Sequence, residues 1–348
     1  MSARVTIQDI ADELGISRNT VSKAINNTGI LADATREKVL KKAAEMGYKQ
    51  FSYVKVVDSG MPVLTLSTPK ENTEIALFIT NLLGNSHFAT VMLDKFQKEL
   101  SGLGYTLTMH RILSEEIDSL TLPASFSRDR TAGIICIEMF NYEYDKMICN
   151  LGLPVLLIDA PAPCFKEPLE ADILLMDNQS NIYLFIQEMI RRGKTNIGFV
   201  GNHLHCQSFF ERYSAYRQAL YLSGLPCPDK YCITGNSAVY QDYLAECLQK
   251  IRRIPDVLLC ANDFVAIDTM QALKKLGYSV PQDIYLCGFD DSPDAKIVTP
   301  ALTSIHIHSQ IMGYYAINLL MSRINEPSLN YCTVHTETTL IYRESTEN

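Results

Sequence analysis

The sequence lacks the long apolar stretches of a membrane protein. None of its apolar runs approaches the roughly 18 consecutive residues that a helix needs to cross a bilayer. Residues 1–15 reach acidic side chains at once and contain no apolar segment of the kind found in a secretory signal peptide. We therefore expect a protein that stays in the cytosol and makes no contact with a membrane.

The sequence also has no C-x-x-C pair, although it contains 10 cysteines. Most of them lie singly in apolar, strand-like runs, such as Cys136 in GIICI and Cys260 in DVLLC. In a reducing cytosol such thiols act as small buried hydrophobic side chains. Because neither the cysteine nor the histidine spacing fits zinc, we expect no metal site and no cofactor.

The signatures of common enzyme classes are missing too. There is no G-x-S-x-G elbow, no G-x-x-x-x-G-K-[ST] phosphate loop and no cluster of His and Glu with metal-ligand spacing. With 47% hydrophobic and 20% charged residues among 348, the composition is that of a folded protein of two or three domains. It favours binding over catalysis, and we expect no catalytic residues.

Charge is unevenly distributed along the chain. The net charge is −8, yet residues 1–56 contain nine Lys and Arg against six Asp and Glu, so this head carries +3 and the remainder −11. A small basic head on a large acidic body suits local contact with DNA and little non-specific adhesion elsewhere.

The basic head has the pattern of a helix-turn-helix. Apolar residues recur at helical spacing over 6–14, where Thr6 is expected to act as N-cap, and Gly15 permits the helix to end. Ser17 is expected to cap a second helix over about 18–26. Two short helices joined by a glycine-containing turn form this motif.

The second helix presents polar side chains opposite its apolar face: Arg18, Asn19, Ser22 and Lys23. Arg and Lys pair with guanine, and Asn with adenine, in the major groove. A third helix over about 33–46 would complete a small core. The alternative, an ordinary solvated helix face, is less consistent with the turn and the local positive charge.

The body alternates apolar runs with amphipathic stretches. The runs that predict strands are EIALFIT (74–80), YTLTMH (105–110), GIICIEM (133–139), PVLLIDA (154–160), NIGFVGN (196–202), KYCIT (230–234), DVLLCAN (256–262) and IYLCGFD (284–290). Helices are predicted over 88–103, with Val91 among the inward-facing residues, and over 179–192, 208–224, 240–252 and 263–276. This alternation predicts an α/β body of two doubly wound parallel-sheet lobes, joined to an all-α head.

Polar residues end several of these strands, among them Asp159, Asn202, Asn262 and Asp290. Ligands of such sheets bind at the carboxyl ends of the strands. The cleft between the two lobes is therefore the expected binding site.

The head segments VTIQDIADELGISRNTVSKAINN and TREKVLKKAAEMGY resemble the DNA-binding head of the LacI/GalR repressor family. The resemblance implies a three-helix domain over 1–50 in which Arg18, Asn19 and Lys23 meet base edges. It also implies contacts that position the head on the DNA backbone, from Thr6, Ser17, Ser22 and Asn26.

The linker, residues 51–72, departs from the family pattern. Members follow the third helix with a Pro-Asn pair and a hinge helix whose leucine enters the minor groove. Here the Pro-Asn pair is missing, and Lys55 and Val57 occupy the positions of the family's arginine and leucine. The β-branched residues around them oppose a helix, so we expect the hinge to order less readily than in typical members.

The body segments RRGKTNIGFVGN, FFERYSAYRQAL, CANDFVAIDTMQALKKLGYSVPQDIYLCGFDDSPDA and TPALTSIHIHSQIMG resemble the effector domain of the same family, which is similar to periplasmic sugar-binding proteins. The resemblance implies a domain over 73–348 that crosses between lobes near 173–177, 302–306 and 333–336. Lobe 1 would comprise about 73–175 and 306–333, and lobe 2 about 177–303 and 336–343.

The same motifs imply seven effector-binding residues: His87, Phe88, Asp159, Asp177, Arg212, Asn262 and Asp290. Arg presents a planar fork of donors and Asp accepts in pairs, which suits the vicinal hydroxyls of a sugar or a polar heterocycle. Structural roles are the alternatives: a turn cap for Asp290, a structural ion pair for Arg212 and a helix N-cap for Asp177.

Pattern and resemblance together predict a transcription repressor whose binding to operator DNA is controlled by a small, sugar-like effector. A homodimer is expected because one head reads only half of a palindromic operator, and no C-terminal leucine heptads indicate a coiled-coil tetramer. Two alternatives stay open: control by a corepressor or protein partner, and a sugar-processing enzyme of the same architecture.

Overall fold

A computed structural model of the chain describes residues 6–25, 35, 38–39, 41–43, 46, 73–80, 87–163, 166–235 and 240–347. The chain divides into two compact units, a head over 1–69 and a body over 70–348. Among the described residues, no helix combines the length and the apolar character needed to cross a membrane.

The described part of the head contains helices α1 (Ile7–Leu14) and α2 (Arg18–Ile25). Thr6 and Asp9 form a reciprocal capping box: the Thr6 hydroxyl accepts from the Asp9 amide, and the Asp9 carboxylate accepts from the Thr6 amide at 2.7 Å. Gly15 ends α1 with a φ of +63°, a conformation that favours glycine. The buried core is apolar, and its members are Ile10, Ala11, Val21, Ala24, Val39 and Ala43.

The strands of the body are short and mostly buried. Among the described residues they are, in chain order, β1 (Glu74–Ile79), β2 (Thr106–Arg111), β3 (Thr131–Ile137), β4 (Val155–Ile158), β5 (Asp172–Met176), β6 (Ile197–Val200), β7 (Cys232–Ile233), β8 (Val257–Cys260), β9 (Tyr285–Asp290), β10 (Thr303–Ile307), β11 (Thr333–Thr336) and β12 (Thr338–Ile341).

Helices connect these strands. The described α-helices of the body are α3 (His87–Gly102), α4 (Ser114–Ser119), α5 (Tyr142–Cys149), α6 (Ser180–Arg191), α7 (Gln207–Leu222), α8 (Tyr240–Lys250), α9 (Asp263–Lys275), α10 (Pro293–Ile297) and α11 (Ser309–Asn325).

The strands form two six-stranded sheets, one in each lobe. The first lobe has the order β11-β5-β4-β3-β1-β2 and is parallel throughout. The second lobe has the order β12-β10-β9-β8-β6-β7 and is parallel except for β12, which runs antiparallel to β10. Helix-covered strands with continuous apolar runs are typical of such sheets. The predicted fold class is confirmed.

The chain passes between the lobes three times. The first passage follows β5, as expected near 173–177. The second comes after Ile307 rather than within 302–306, because β10 stays paired in the second lobe through its last residue. The third comes at Glu337, because β11 pairs with β5 through Thr336. The two later passages thus lie just beyond the expected ranges.

One predicted core position in α3 is wrong. Val91 is 45% exposed, whereas Met92, Phe96 and Leu100 are fully buried. The buried residues recur at intervals of four, which places them on one helical face, and Val91 precedes that face by about 100°.

Candidate functional site

Acidic residues converge where the strands of both lobes end. Asp290 closes β9 in the second lobe, and its carboxyl interacts with those of Asp263, Glu138 and Asp159, of which the last two follow strands of the first lobe. Burial raises the pKa of Asp290 well above its usual range, Arg212 opposes this rise, and the three acidic neighbours add to it. The expectation that strand ends gather polar groups in one cleft therefore agrees with the geometry.

The backbone turns sharply at these strand ends. Glu138, Asp159, Asp290 and Asp291 have φ values of +53°, +61°, +109° and +53°. Residues other than glycine seldom adopt this region, and such strain concentrates at binding sites and active sites. These strained residues stand at the carboxyl ends of β3, β4 and β9.

Arg212 lies on α7 at the base of the cleft and is 3% exposed. Its Nε donates to Asn178 Oδ1 at 2.9 Å, and its Nη1 donates to the Ala261 carbonyl at 2.7 Å. The guanidinium carbon lies 3.5 Å from the centre of the Phe289 ring, a close cation–π contact. These contacts fix the plane of the guanidinium beside Asp290, whose Oδ1 is 3.7 Å from Nη1.

Asp159 joins the two lobes. It follows β4 in the first lobe, and its Oδ1 accepts from the Ser208 amide in the first turn of α7 at 3.1 Å. The adjacent Ala160 carbonyl accepts from the Gln207 amide at 2.8 Å. A carboxylate at a helix N-terminus is favoured by the unpaired amides there. Asp159 therefore borders the predicted cleft and also holds α7.

Two predicted effector residues serve as helix caps. Asp177 Oδ1 accepts from the amides of Gln179 and Ser180 at 2.9 and 3.0 Å, at the start of α6. Asn262 Oδ1 accepts from the Val265 amide at 3.0 Å and is the N-cap of α9. Asp177 thus binds the first amides of α6, although the N-cap position that the structural alternative gave it is held by Gln179. For Asn262 the sequence interpretation overlooked the cap.

The aromatic wall of the cleft differs from the expected one. Phe88, at the start of α3, is half-buried and packs against the main core, while the side chain of the preceding His87 lies outside the described part. Phe140 follows β3 and meets His205 edge-on at 5.0 Å, and His205 lies 5.4 Å from Phe209. Phe209 in turn lies 5.6 Å from the Arg212 guanidinium. These rings span both lobes beside the charged base.

Sequence reasoning missed three polar residues around Arg212: Asn178, Glu211 and His335. Asn178 is fully buried and links Arg212 to Glu211, to which its Nδ2 donates at 2.8 Å. The one local signal was the position of Asn178 directly after Asp177. The contacts of His335 arise from a strand 124 residues farther along the chain than Glu211, which no local pattern shows.

The described residues of the predicted DNA surface lie on and before α2. Arg18 and Asn19 are exposed, and Ser22 and Lys23 are half-buried. Ser17 accepts from the Thr20 amide at 3.1 Å and so caps α2, and Thr6 is occupied in the capping box of α1. The other predicted DNA contacts lie outside the described residues: Asn26, Lys55 and Val57.

Two family models match separate parts of the chain, one in the head and one in the body. Residues 6–50 match the family model described as bacterial regulatory proteins, lacI family, and residues 186–346 match the periplasmic binding protein-like domain. Two relatives are each named HTH-type transcriptional repressor PurR. The one from Vibrio atlanticus (strain LGP32) is 26% identical over 92% of both chains, and the one from Pasteurella multocida (strain Pm70) is 25% identical over 99% of both.

Solved structures share the fold over nearly the whole chain. The transcriptional regulator CelR in complex with cellobiose has a TM-score of 0.69 at 23% identity, covering 98% of this chain and all of its own. The lac repressor dimer bound to operator and the anti-inducer ONPF has a TM-score of 0.66 at 20% identity, covering 99% and 100%. The chain thus combines the helix-turn-helix domain of the lacI family of bacterial regulatory proteins, over residues 6–50, with a periplasmic binding protein-like domain in its two-sheet body.

Proposed function

We propose that the protein is a cytoplasmic repressor that binds operator DNA through α2 and whose operator affinity is controlled by a small polar effector in the cleft of the body. The observation that carries this proposal is the arrangement of Arg212 and Asp290, a fixed donor fork beside a partly buried acceptor at the carboxyl ends of the strands. The exposed Arg18 and Asn19 are the groups for base readout.

A sugar or sugar derivative fits the cleft best. Carboxylates accept from hydroxyl groups, the guanidinium donates to them, and the rings of Phe140 and Phe209 offer flat apolar faces to the C–H side of a sugar ring. The excess of acidic groups disfavours an anionic effector. The cellobiose complex of CelR supports the same class.

We also propose a homodimer, in which the body supplies an interface. Phe264 on α9 and Ile297 on α10 are 36% and 76% exposed, and they line one shallow surface together with Ile267 and Val298. Large exposed apolar side chains on adjacent elements are typical of interfaces, and a dimer presents two heads to a palindromic operator. Ile297→Glu should therefore shift the mass measured by light scattering from dimer toward monomer.

A thermal-shift screen of sugars, sugar phosphates and nucleobases tests the effector class. A cleft ligand raises the melting temperature in proportion to RT ln(1 + [L]/Kd), and Asp290→Ala should abolish that rise. The effect of the same ligand on operator binding separates an inducer, which weakens it, from a corepressor, which strengthens it. Turnover of a screened sugar by pure protein would favour an enzyme instead.

A further inference from the structure

A second contact between the lobes lies beside Arg212. His335 is on β11 in the first lobe, and Glu211 is on α7 in the second. Nε2 of His335 lies 3.2 and 3.4 Å from the two carboxylate oxygens of Glu211. The Glu211 side chain is 13% exposed and that of His335 is 40% exposed, so the pair lies at the edge of the body.

This pair is linked directly to the guanidinium of the cleft. Asn178 Nδ2 donates to Glu211 Oε2 at 2.8 Å, and Asn178 Oδ1 accepts from Arg212 Nε at 2.9 Å. The amide can face only one way here, because a guanidinium offers donors alone and a carboxylate offers acceptors alone. Asn178 lies fully buried in the first passage between the lobes, so a change at Glu211 reaches Arg212 through a single side chain.

The charges that face His335 are those of Glu211 on α7 and Asp177 after β5. The hydrogen bond with Glu211 raises the pKa of His335 above its ordinary 6.5, against an opposing effect of burial. Burial alone would raise the pKa of Glu211, but hydrogen bonds from His335, Asn178 and Gln207 bring it below its ordinary 4.5.

These two pKa shifts determine how the stability contributed by the His335–Glu211 pair depends on pH. Because the pKa of His335 is raised on folding, its contribution to the stability of the folded protein is complete below pH 6.5. That contribution is lost as the pH rises through the pKa of His335 in the folded state. Because the pKa of Glu211 is lowered on folding, its contribution to the stability of the folded protein is present above pH 4.5. That contribution is lost as the pH falls through the pKa of Glu211 in the folded state. Both partners are therefore charged between the lowered pKa of Glu211 and the raised pKa of His335, and the pair weakens as the pH rises through the latter.

We propose that His335 is a positioning residue: in its protonated form it holds Glu211, and through Asn178 it fixes the guanidinium of Arg212. The consequence for the effector rests on the proposed function, since a less constrained Arg212 would hold a cleft ligand less tightly at higher pH. The positioning itself requires no effector.

The test follows the Nε–H resonance of Arg212 in the full chain labelled with ¹⁵N-arginine, assigned by its loss in Arg212→Lys. From pH 6 to 9 its exchange with water, corrected for base catalysis, should accelerate by roughly two- to fivefold, as expected for a partly exposed pair. The midpoint should coincide with that of the His335 ring. His335→Gln should abolish this midpoint, and His335→Lys should keep the slow exchange to pH 9.

His306→Gln is the matched control. It removes another histidine paired with a carboxylate, since His306 Nδ1 lies 3.0 Å from Asp291 Oδ2, and it should leave the Arg212 titration as in the parent. An Arg212 resonance that titrates equally in His335→Gln, or that ignores the titration of His335, would overturn the proposal. Because no effector is added, failure of the proposed function through absent cleft binding would be seen separately in the thermal-shift screen.

Discussion

Nη1 of Arg212 lies 3.7 Å from Oδ1 of Asp290, close enough for attraction but longer than a hydrogen bond. Arg212 is held by Asn178, Ala261 and the ring of Phe289 rather than by the carboxylate itself. A ligand hydroxyl placed about 2.8 Å from both groups could accept from the guanidinium and donate to the carboxylate. The pair is thus arranged to gain hydrogen bonds when a polar ligand enters.

Arg212→Lys should weaken effector binding by about ten- to hundredfold, although the charge is kept. Lysine has no planar fork, so it cannot serve Asn178, Ala261 and a ligand together. Calorimetric titration with a hit from the thermal-shift screen measures the loss. Arg217→Lys is the control on the same helix, because Arg217 bonds Tyr213 and Asp229 instead. Equal affinities for the parent and Arg212→Lys would remove Arg212 from the site.

Asp145 should make the stability of the body fall as the pH rises. Its side chain is fully buried on α5, neither oxygen has a hydrogen-bond partner among the described residues, and burial raises its pKa from 3.8 to about 8. Between these values the folded state binds more protons than the unfolded state, so the free energy of unfolding declines with pH by up to about 1.4 kcal/mol per unit.

Asp145→Asn should flatten this decline and make the body more stable at pH 8 by about 1–3 kcal/mol. Urea unfolding at several pH values between 5 and 9 gives the slopes. Glu143→Gln, at an exposed site on the same helix, should keep the slope of the parent. A parent-like slope in Asp145→Asn would show that Asp145 is ionised in the folded protein.

The Asp172–Arg323 pair should contribute strongly to the stability of the first lobe. Two hydrogen bonds of 2.8 and 2.9 Å join the side chains, which are 4% and 6% exposed. Arg323→Ala leaves a buried carboxylate unpaired, which costs about 3–5 kcal/mol. Lys146→Ala, which breaks an exposed pair with Glu167, should cost about 0–1 kcal/mol. Urea unfolding compares them, and similar losses in both variants would contradict the assignment.

Arg18→Ala and Asn19→Ala should each relax the preference for particular operator base pairs at a cost of about 1–3 kcal/mol. Both side chains are exposed on α2, opposite the buried Val21. Binding curves on operator variants with single base changes measure the preference. Glu13→Gln on α1 is the control. If both alanine variants discriminate between bases like the parent, the readout lies elsewhere in the head.

The strands and helices were predictable because their burial follows local periodicity. The run DVLLCAN contains β8, and the repeating apolar face of 7–14 gives α1. The run KYCIT predicted its strand less accurately, because only Cys232–Ile233 forms a strand there. This strand lies at the edge of its sheet and pairs with one neighbour. The passages after Ile307 and at Glu337 depend on which sheet a strand joins, and that choice is made by long-range pairing.

The site was predictable to the extent that its residues end strands or match a family motif. Arg212, Asp290 and Asp159 come together at the strand ends, and their role in effector binding stays a prediction. Asp177 and Asn262 also follow strands, yet a short polar side chain before a helix caps it, and the sequence does not distinguish capping from ligand binding. Phe140 and His335 come from distant segments, so their roles depended on the fold.

The most direct measurement is operator affinity with and without the effector, for the parent and for Asp290→Ala. Operator fragments are selected from genomic DNA by the full chain, and fluorescence anisotropy is recorded with a ligand that the thermal-shift screen identifies. The operator affinity of the parent should change when the ligand is added. Asp290→Ala should bind operator as well as the parent does, and its affinity should stay the same when the ligand is added. The reason is that a ligand shifts only an equilibrium whose states it binds differently. An Asp290→Ala protein that responds like the parent would contradict control through this cleft.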